Sequence, residues 1–336
     1  MDSVKEVAPD IFMATQAIHS RQFKSSVNIF VLAGNDGLIF DSGFGNRQKK
    51  AGLVQTLAKI SQIKKSRGES CVITRAMPSH GHWDHFSGLG HLQEDLGLRI
   101  LATQKQVDKM GSKKAFKASF QPERPFFNHR PSPWAKILHK IRDGVGAEIF
   151  MGLARVCFVS GPIDIMDENE VLSINGEAWQ MISAPGHCDD DIVLYNRERG
   201  ILLGGDIVLR SITTWLGPPR SNLRVYLESL ERIRELPNLN LILSAHGSPI
   251  ENPVERIQGA IEHREKRTGD LFQLVLKSGE KGLAYGEIFK AVYPGANRFK
   301  RFLLGGWILV TLQYLWEEGA IITLPRGGEI KFCASA

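Results

Sequence analysis

The stretch Ser79-His80-Gly81-His82-Trp83-Asp84-His85-Phe86-Ser87-Gly88 places four potential metal ligands, His80, His82, Asp84 and His85, within six residues. Imidazoles and carboxylates are costly to bury unless something pairs with them, so such a density points to ions rather than to packing. In an extended segment, residues two apart project to the same side, so His80 and His82 are expected to share one ion. Asp84 and His85, adjacent on the following turn, would face a neighbouring ion. Two metals are therefore expected.

Working outward, Cys71 to Met77 reads as a strand delivering the cluster from a rigid element, and Lys49 to Ile60 before it carries helical spacing. The first 45 residues look like a meander. Ile11 to Ala17, Val27 to Ala33 and Leu38 to Asp41 are β-rich, and Gly34-Asn35-Asp36-Gly37 is a hairpin turn between the last two. Asp41 ends its strand at Asp-Ser-Gly, where it either caps the turn or serves the site. After the cluster, Phe86 to Leu96 reads as one helix, with His91 as a packing histidine, and Leu98 to Thr103 as a strand.

From Glu170 the β pattern returns. Ala178 to Ala184, Asp191 to Tyr195, Ile201 to Leu203 and Leu239 to Ser244 are candidate strands, and a helix is expected over Arg224 to Leu236. Three of the strands run into Pro185-Gly186-His187, Gly204-Gly205-Asp206 and Ala245-His246-Gly247. A single His or Asp at a strand end is ordinary, but the recurrence puts His187, Asp206 and His246 at the same kind of location as the first cluster. Two zinc ions wanting about four ligands each, with room for water, need six or seven protein groups when one group bridges. The chain offers seven, and an aspartate suits the bridge. Water held between two cations is deprotonated near neutral pH and becomes a nucleophile.

These five motifs in this order resemble the metallo-β-lactamase superfamily, over residues 1 to about 250. The resemblance implies an α/β fold, an αββα sandwich. It implies His80, His82 and His187 on one metal, Asp84, His85 and His246 on the other, Asp206 as the bridge, and Asp41 orienting ligands from behind. Two-zinc antibiotic-hydrolysing members commonly have a cysteine where this chain has Asp206, and lack a ligand such as His85. The chain is more similar to the branch of glyoxalase II, lactonases and nucleases. The implied activity is a dinuclear zinc hydrolase in which a metal-bridging hydroxide attacks a small ester, thioester or lactone, with Asp84 moving the proton. Alternatives are a zinc-dependent phosphodiesterase on single-stranded RNA and, ranked lower, an iron oxidoreductase; iron or manganese could replace zinc. Cys188 is read as structural. Asp189, Asp190 and Asp191 either form a surface turn or add negative charge near the metals.

At 336 residues and 43% hydrophobic content, a large domain and a smaller one are expected: 1–250 for the catalytic unit, with an insertion at about 105–160, and 251–336 for the rest. Net charge is +6. Between Lys105 and Arg142 ten basic residues face two acidic ones, interleaved with Phe116, Phe120, Phe126, Phe127 and Trp134. That mixture is read as a cover over the active-site mouth, with RNA binding as the alternative. His129 and His139, inside it, are not read as ligands. Pro253 to Leu276, Gly286 to Tyr293 and Gly306 to Glu318 read as helices, and Ile321 to Leu324 with Ile330 to Cys333 as a hairpin, a winged-helix-like order. Gly306 to Glu318 carries two acids and no lysine or arginine, so packing or a homodimer contact is expected of it rather than phosphate binding. Four scattered cysteines argue against a disulfide framework, and the charged N-terminus against export. Phe302 to Trp316, the longest uncharged apolar run, is too short to span a bilayer. A cytoplasmic enzyme is the expectation.

Overall fold

The computed structural model describes residues 4–19, 24–119, 151–152, 156–211, 213–296, 304–326 and 328–335. Seven strands form the first sheet in sequence order: β1 (Val4–Ala8), β2 (Ile11–His19), β3 (Lys24–Leu32), β4 (Gly37–Phe40), β5 (Ile73–Met77), β6 (Arg99–Thr103) and β7 (Ile163–Met166). Strands β1 to β4 are antiparallel, whereas β4 to β7 run parallel. A second sheet has the order β12-β11-β10-β9-β8, built from β8 (Val171–Ile174), β9 (Glu177–Ser183), β10 (Ile192–Asn196), β11 (Ile201–Gly205) and β12 (Leu241–Ser244).

The two-residue period of the strands makes the layers. In β3, Phe30 and Leu32 face the second sheet, where they meet Trp179, Met181, Leu194 and Leu203. Ile29 and Val31 face the other way, onto Leu53 and Ile60 of the helix Arg47–Ser66. In β10, Ile192 and Leu194 face inward, while Val193 and Tyr195 meet Tyr226 and Leu230 of the helix Leu223–Arg234. Helix, sheet, sheet, helix is therefore the layering, an αββα sandwich.

The expected helix Phe86 to Leu96 is broken into Trp83–Phe86 and Leu89–Leu96. The break falls at Gly88, whose N–H donates to Ser42 Oγ at 3.0 Å. A Cβ there would lie 2.2 Å from the Ser42 carbonyl oxygen, so the chain bends to keep this contact with the end of β4. Strands β1, β7 and β8 were not expected from the sequence. The 24-residue helix Pro253–Leu276 packs Ile257 and Ile261 against the second sheet's helical layer and Leu271 and Val275 into a further cluster. That cluster is completed by Ile288 and Phe289 of Tyr285–Val292, Ile308 and Leu312 of Gly306–Glu317, and the hairpin Ile321–Arg326 with Glu329–Ala334. Among the described residues no helix is long and apolar enough to cross a membrane. Arg124, Arg130, Lys136, Lys140, Arg142, Phe120, Phe126, Phe127, Trp134, His129 and His139 lie outside the described residues.

Candidate metal centre

Five strand or turn ends converge at one edge of the sandwich. Strand β5 ends at Met77 and leads into a bent segment, Ser79–His82, with His82, extended in φ and ψ, at the N-terminal boundary of the short helix Trp83–Phe86. His187 follows β9, Asp206 follows β11 and His246 follows β12. Asp41 follows β4. These ends bring two groups of donor atoms together.

In the first group His80 Nε2 lies 2.8 Å from His82 Nδ1, and His187 Nε2 lies 3.1 Å from the same atom. In the second, His85 Nε2 lies 3.8 Å from Asp84 Oδ1, and His246 Nε2 lies 3.8 Å from Asp84 Oδ2. Asp206 sits between them. Its Oδ2 is 3.7 Å from His187 Nε2 and 3.7 Å from His85 Nε2, and its Oδ1 is 3.3 Å from His246 Nε2. Two donors about 2.0–2.1 Å from one ion at a tetrahedral angle lie about 3.4 Å apart, so most of these separations suit shared cations. His80, His82 and His187, joined by Cys188, could hold one ion, and Asp84, His85 and His246 another; a third set of donors close enough to share an ion, His80, His85 and Asp206, overlaps both.

Outer contacts aim the rings. His80 Nδ1 lies 3.0 Å from Ser79 Oγ, His85 Nδ1 2.9 Å from Asp41 Oδ2, and His187 Nδ1 2.6 Å from the Trp215 carbonyl, while His246 Nδ1 meets the Ser26 carbonyl. Each of these four rings thus turns Nε2 into the site, the arrangement that ligand histidines need. His82 is reversed, with Nδ1 inward and Nε2 3.4 Å from Cys188 Sγ. Cys188, read from sequence as structural, has its thiol close enough to the three histidines to join the first donor group. His85 Nε2 and Asp206 Oδ1 are buried without a hydrogen-bond partner among the described residues, which fits donors reserved for a cation.

Electrostatics separate the two groups. Burial, repulsion from neighbouring histidines, His85 among them, and the Arg220 cation hold His80, His82 and His187 below the ordinary imidazole value, hence neutral and ready to ligate. Burial opposes a charge on His85 too, but Asp41, Asp84 and Asp206 push it up to about 10. Against the same opposition, Asp206 and Asp84 push His246 up to about 9. Burial also opposes the Asp206 charge, yet His246, His85 and His187 hold that carboxylate far below the usual range.

The three consecutive aspartates divide between the two alternatives read in the sequence: Asp189 lies on a surface turn, and Asp191 Oδ1 stands 3.5 Å from His80 Nδ1. Asp189 pairs with Lys109. Asp190 is fully buried, but its charge is matched by Arg220 and Lys109. Asp191 accepts the Cys188 N–H at 2.6 Å, and burial next to Asp190 pushes its carboxyl well above the usual range. Arg220 and Lys109, remote in sequence, carried no motif signal. His91 packs as expected, its Nε2 3.0 Å from the Gly45 carbonyl oxygen.

A strand-end cluster of histidines and aspartates on an αββα sandwich defines a class of metal-dependent hydrolase. Residues 23–246 match the family model described as the metallo-beta-lactamase superfamily, and the chain belongs to that superfamily. The probable metallo-hydrolase YqjP of Bacillus subtilis (strain 168) is 23% identical over 319 residues, covering 91% of this chain and 92% of that protein. The acyl-coenzyme A thioesterase MBLAC2 of Gallus gallus is 25% identical over 233 residues, covering 67% of this chain and 73% of its own length. The crystal structure of metallo-beta-lactamase family protein TTHA1429 from Thermus thermophilus aligns with a TM-score of 0.73 at 20% identity, covering 98% of this chain and all of that one. The chain is a hydrolytic enzyme, and its fold implies divalent metal ions.

Proposed function

We propose that the protein is a dinuclear zinc hydrolase acting on acyl thioesters and related small esters or lactones. The observation that carries the reading is Asp206, buried and flanked on one side by His187 and on the other by His85 and His246. His80, His82 and His187 would hold the first ion, Asp84, His85 and His246 the second, and Asp206 both. When bound, the ions supply Lewis acidity and lower the pKa of water to near neutrality.

The protein's own groups do the rest. Asp41 holds His85, and the Trp215 carbonyl holds His187, each fixing the ring so that Nε2 points inward. Asp84 and His246, with side chains 14% and 19% exposed, form the open side of the cluster. A substrate carbonyl would enter there, and Asp84 would take up and return the proton as the leaving group departs. The Trp215 indole, 47% exposed and centred 6.4 Å from the His187 ring, offers an apolar wall for an acyl chain. The named thioesterase relative supports the thioester over the other esters.

The test is a hydrolysis screen with zinc-loaded protein across acyl-CoA thioesters, lactones, β-lactams, phosphodiesters and single-stranded RNA. Thioester turnover that stops on chelation supports the reading. RNA cleavage weakened by replacing Lys113, Lys114 and Lys117 would move the assignment to the nuclease, and stoichiometric iron with oxygen consumption would move it to an oxidoreductase.

A further inference from the structure

We propose that Arg220 and Asp190, extended by Ser221, form a positioning clamp for the three-histidine side of the centre, so that the first ion depends on a buried charge network that the second ion does not use. This rests on the ligand grouping given above. The peptide of Gly81 lies between His80 and His82, and the network grips it from both sides. Its N–H donates to Asp190 Oδ2 at 2.9 Å, and its carbonyl oxygen accepts Arg220 Nη1–H at 3.1 Å. Arg220 Nη2 closes the ring by donating to Asp190 Oδ1 at 2.5 Å, and Lys109 Nζ lies 3.1 Å from the same oxygen. A Cβ at position 81 would stand 2.9 Å from Asp190 Oδ2 and 3.2 Å from Arg220 Nη2, so glycine lets the clamp close on the backbone.

The same network reaches the third histidine. Asp190 lies three residues beyond His187, and Ser221, next to Arg220, donates its hydroxyl to the His187 carbonyl oxygen at 2.7 Å. Gln106 Nε2 ties the Ser79 and Asp190 carbonyl oxygens together from below, at 3.1 and 3.3 Å. Two ligand segments more than 100 residues apart in sequence are thereby held as one piece. Side-chain exposures are 5% for Arg220, 0% for Asp190 and 11% for Lys109. Burying such charges is costly, and a buried ion pair is a weak means of stabilising a fold. Its placement on the one peptide that spaces His80 from His82 is what positioning requires. The second group is held by other means, His85 by Asp41 and His246 by the Ser26 carbonyl.

The test compares Asp190→Asn and Arg220→Lys with the unaltered full chain, each loaded with zinc and titrated with a competing chelator. The first ion is expected to weaken ten- to a hundredfold, the usual effect of losing an outer partner of a ligand. Tightly held zinc should fall from two ions per chain to one. Cobalt-substituted protein should lose the visible absorption of one site and keep that of the other. A network that only supports the fold would lower the melting temperature and leave both ions at native affinity in the folded fraction, and that result overturns the proposal. Should neither variant fold, Lys109→Met keeps the Arg220–Asp190 contacts and removes one cation; it is expected to weaken the first ion severalfold, and unchanged affinity would count against the clamp. Because the readout is metal, a wild-type chain that binds two ions but cleaves no thioester would refute the function and leave this inference standing.

Discussion

Replacing Asp41 by Asn separates the charge of that residue from its shape. Asp41 is fully buried, has a φ of 64°, and accepts three contacts: the Ser79 N–H at 2.7 Å on Oδ1, and the Ser79 hydroxyl at 3.1 Å and His85 Nδ1 at 2.9 Å on Oδ2. Asparagine tolerates the left-handed backbone and can still accept the Ser79 N–H through its oxygen. Its amide then faces His85 Nδ1 with a donor. His85 must answer with Nδ1 as an acceptor, which moves its proton to Nε2 and points a donor, not a lone pair, into the site. One ligand of the second ion is lost through a tautomer. The stability cost is about 1.5–3 kcal/mol, the worth of one hydrogen bond to a charged group. The second ion should weaken ten- to a hundredfold, and the first by a smaller factor, since the Ser79 hydroxyl that Asp41 holds also meets His80 Nδ1. Asp41→Ala should cost more, about 3–9 kcal/mol, since three buried donors lose their acceptor and alanine is strained at that φ. Chelator competition for the ions and urea unfolding of the metal-free chain measure both quantities. Two ions held at native affinity in Asp41→Asn would refute the tautomer argument.

Other outcomes follow from the same geometry. Asp206→Ala should lose bound metal and activity together, and full activity in that variant would remove the bridge. Because His85 and His246 carry raised values of about 10 and about 9, they are protonated at neutral pH in the metal-free chain and must release those protons to bind the second ion. Second-ion affinity should therefore rise with pH, about tenfold per unit for each proton displaced, and level off near pH 9 to 10; calorimetry in buffers of different ionisation enthalpy counts the protons. The sign for stability is the reverse: in the metal-free chain these raised values stabilise the fold fully below the unfolded histidine value of about 6.5, and that contribution is lost as pH climbs through 9 and 10. Trp179→Ala, removing a 1% exposed ring from between the two sheets, should cost about 3–5 kcal/mol in urea denaturation without altering metal stoichiometry.

The parts of the site legible in the sequence are those in which chemistry is local. His80, His82, Asp84 and His85 announce themselves by density, and His187, Asp206 and His246 by arriving at strand ends. Short, almost wholly apolar runs such as Val27 to Ala33, bounded by turn residues, mark the central strands. Strands β7 and β8 escaped notice because each is only four residues long and lies at a sheet edge, with Ile165 and Val171 more than half exposed. The helix break at Gly88 depends on Ser42, 46 residues away. The clamp was illegible for the same reason: Lys109, Asp190 and Arg220 meet only in three dimensions, and a run of three aspartates reads as surface until a buried arginine is seen to neutralise the middle one. His82 and Cys188 show a further gap, since which ring nitrogen faces the site, and which thiol lies beside it, depends on neighbours more than 100 residues away and not on residue type.

Whether two zinc ions serve thioester hydrolysis is decided by removing the metal and returning it stepwise while acyl-CoA turnover is followed. Metal-free protein should be inactive, the first equivalent of zinc should restore little, and the second should restore full rate. Full turnover in protein stripped of all metal, or full activity after a single equivalent, would contradict the two-zinc reading.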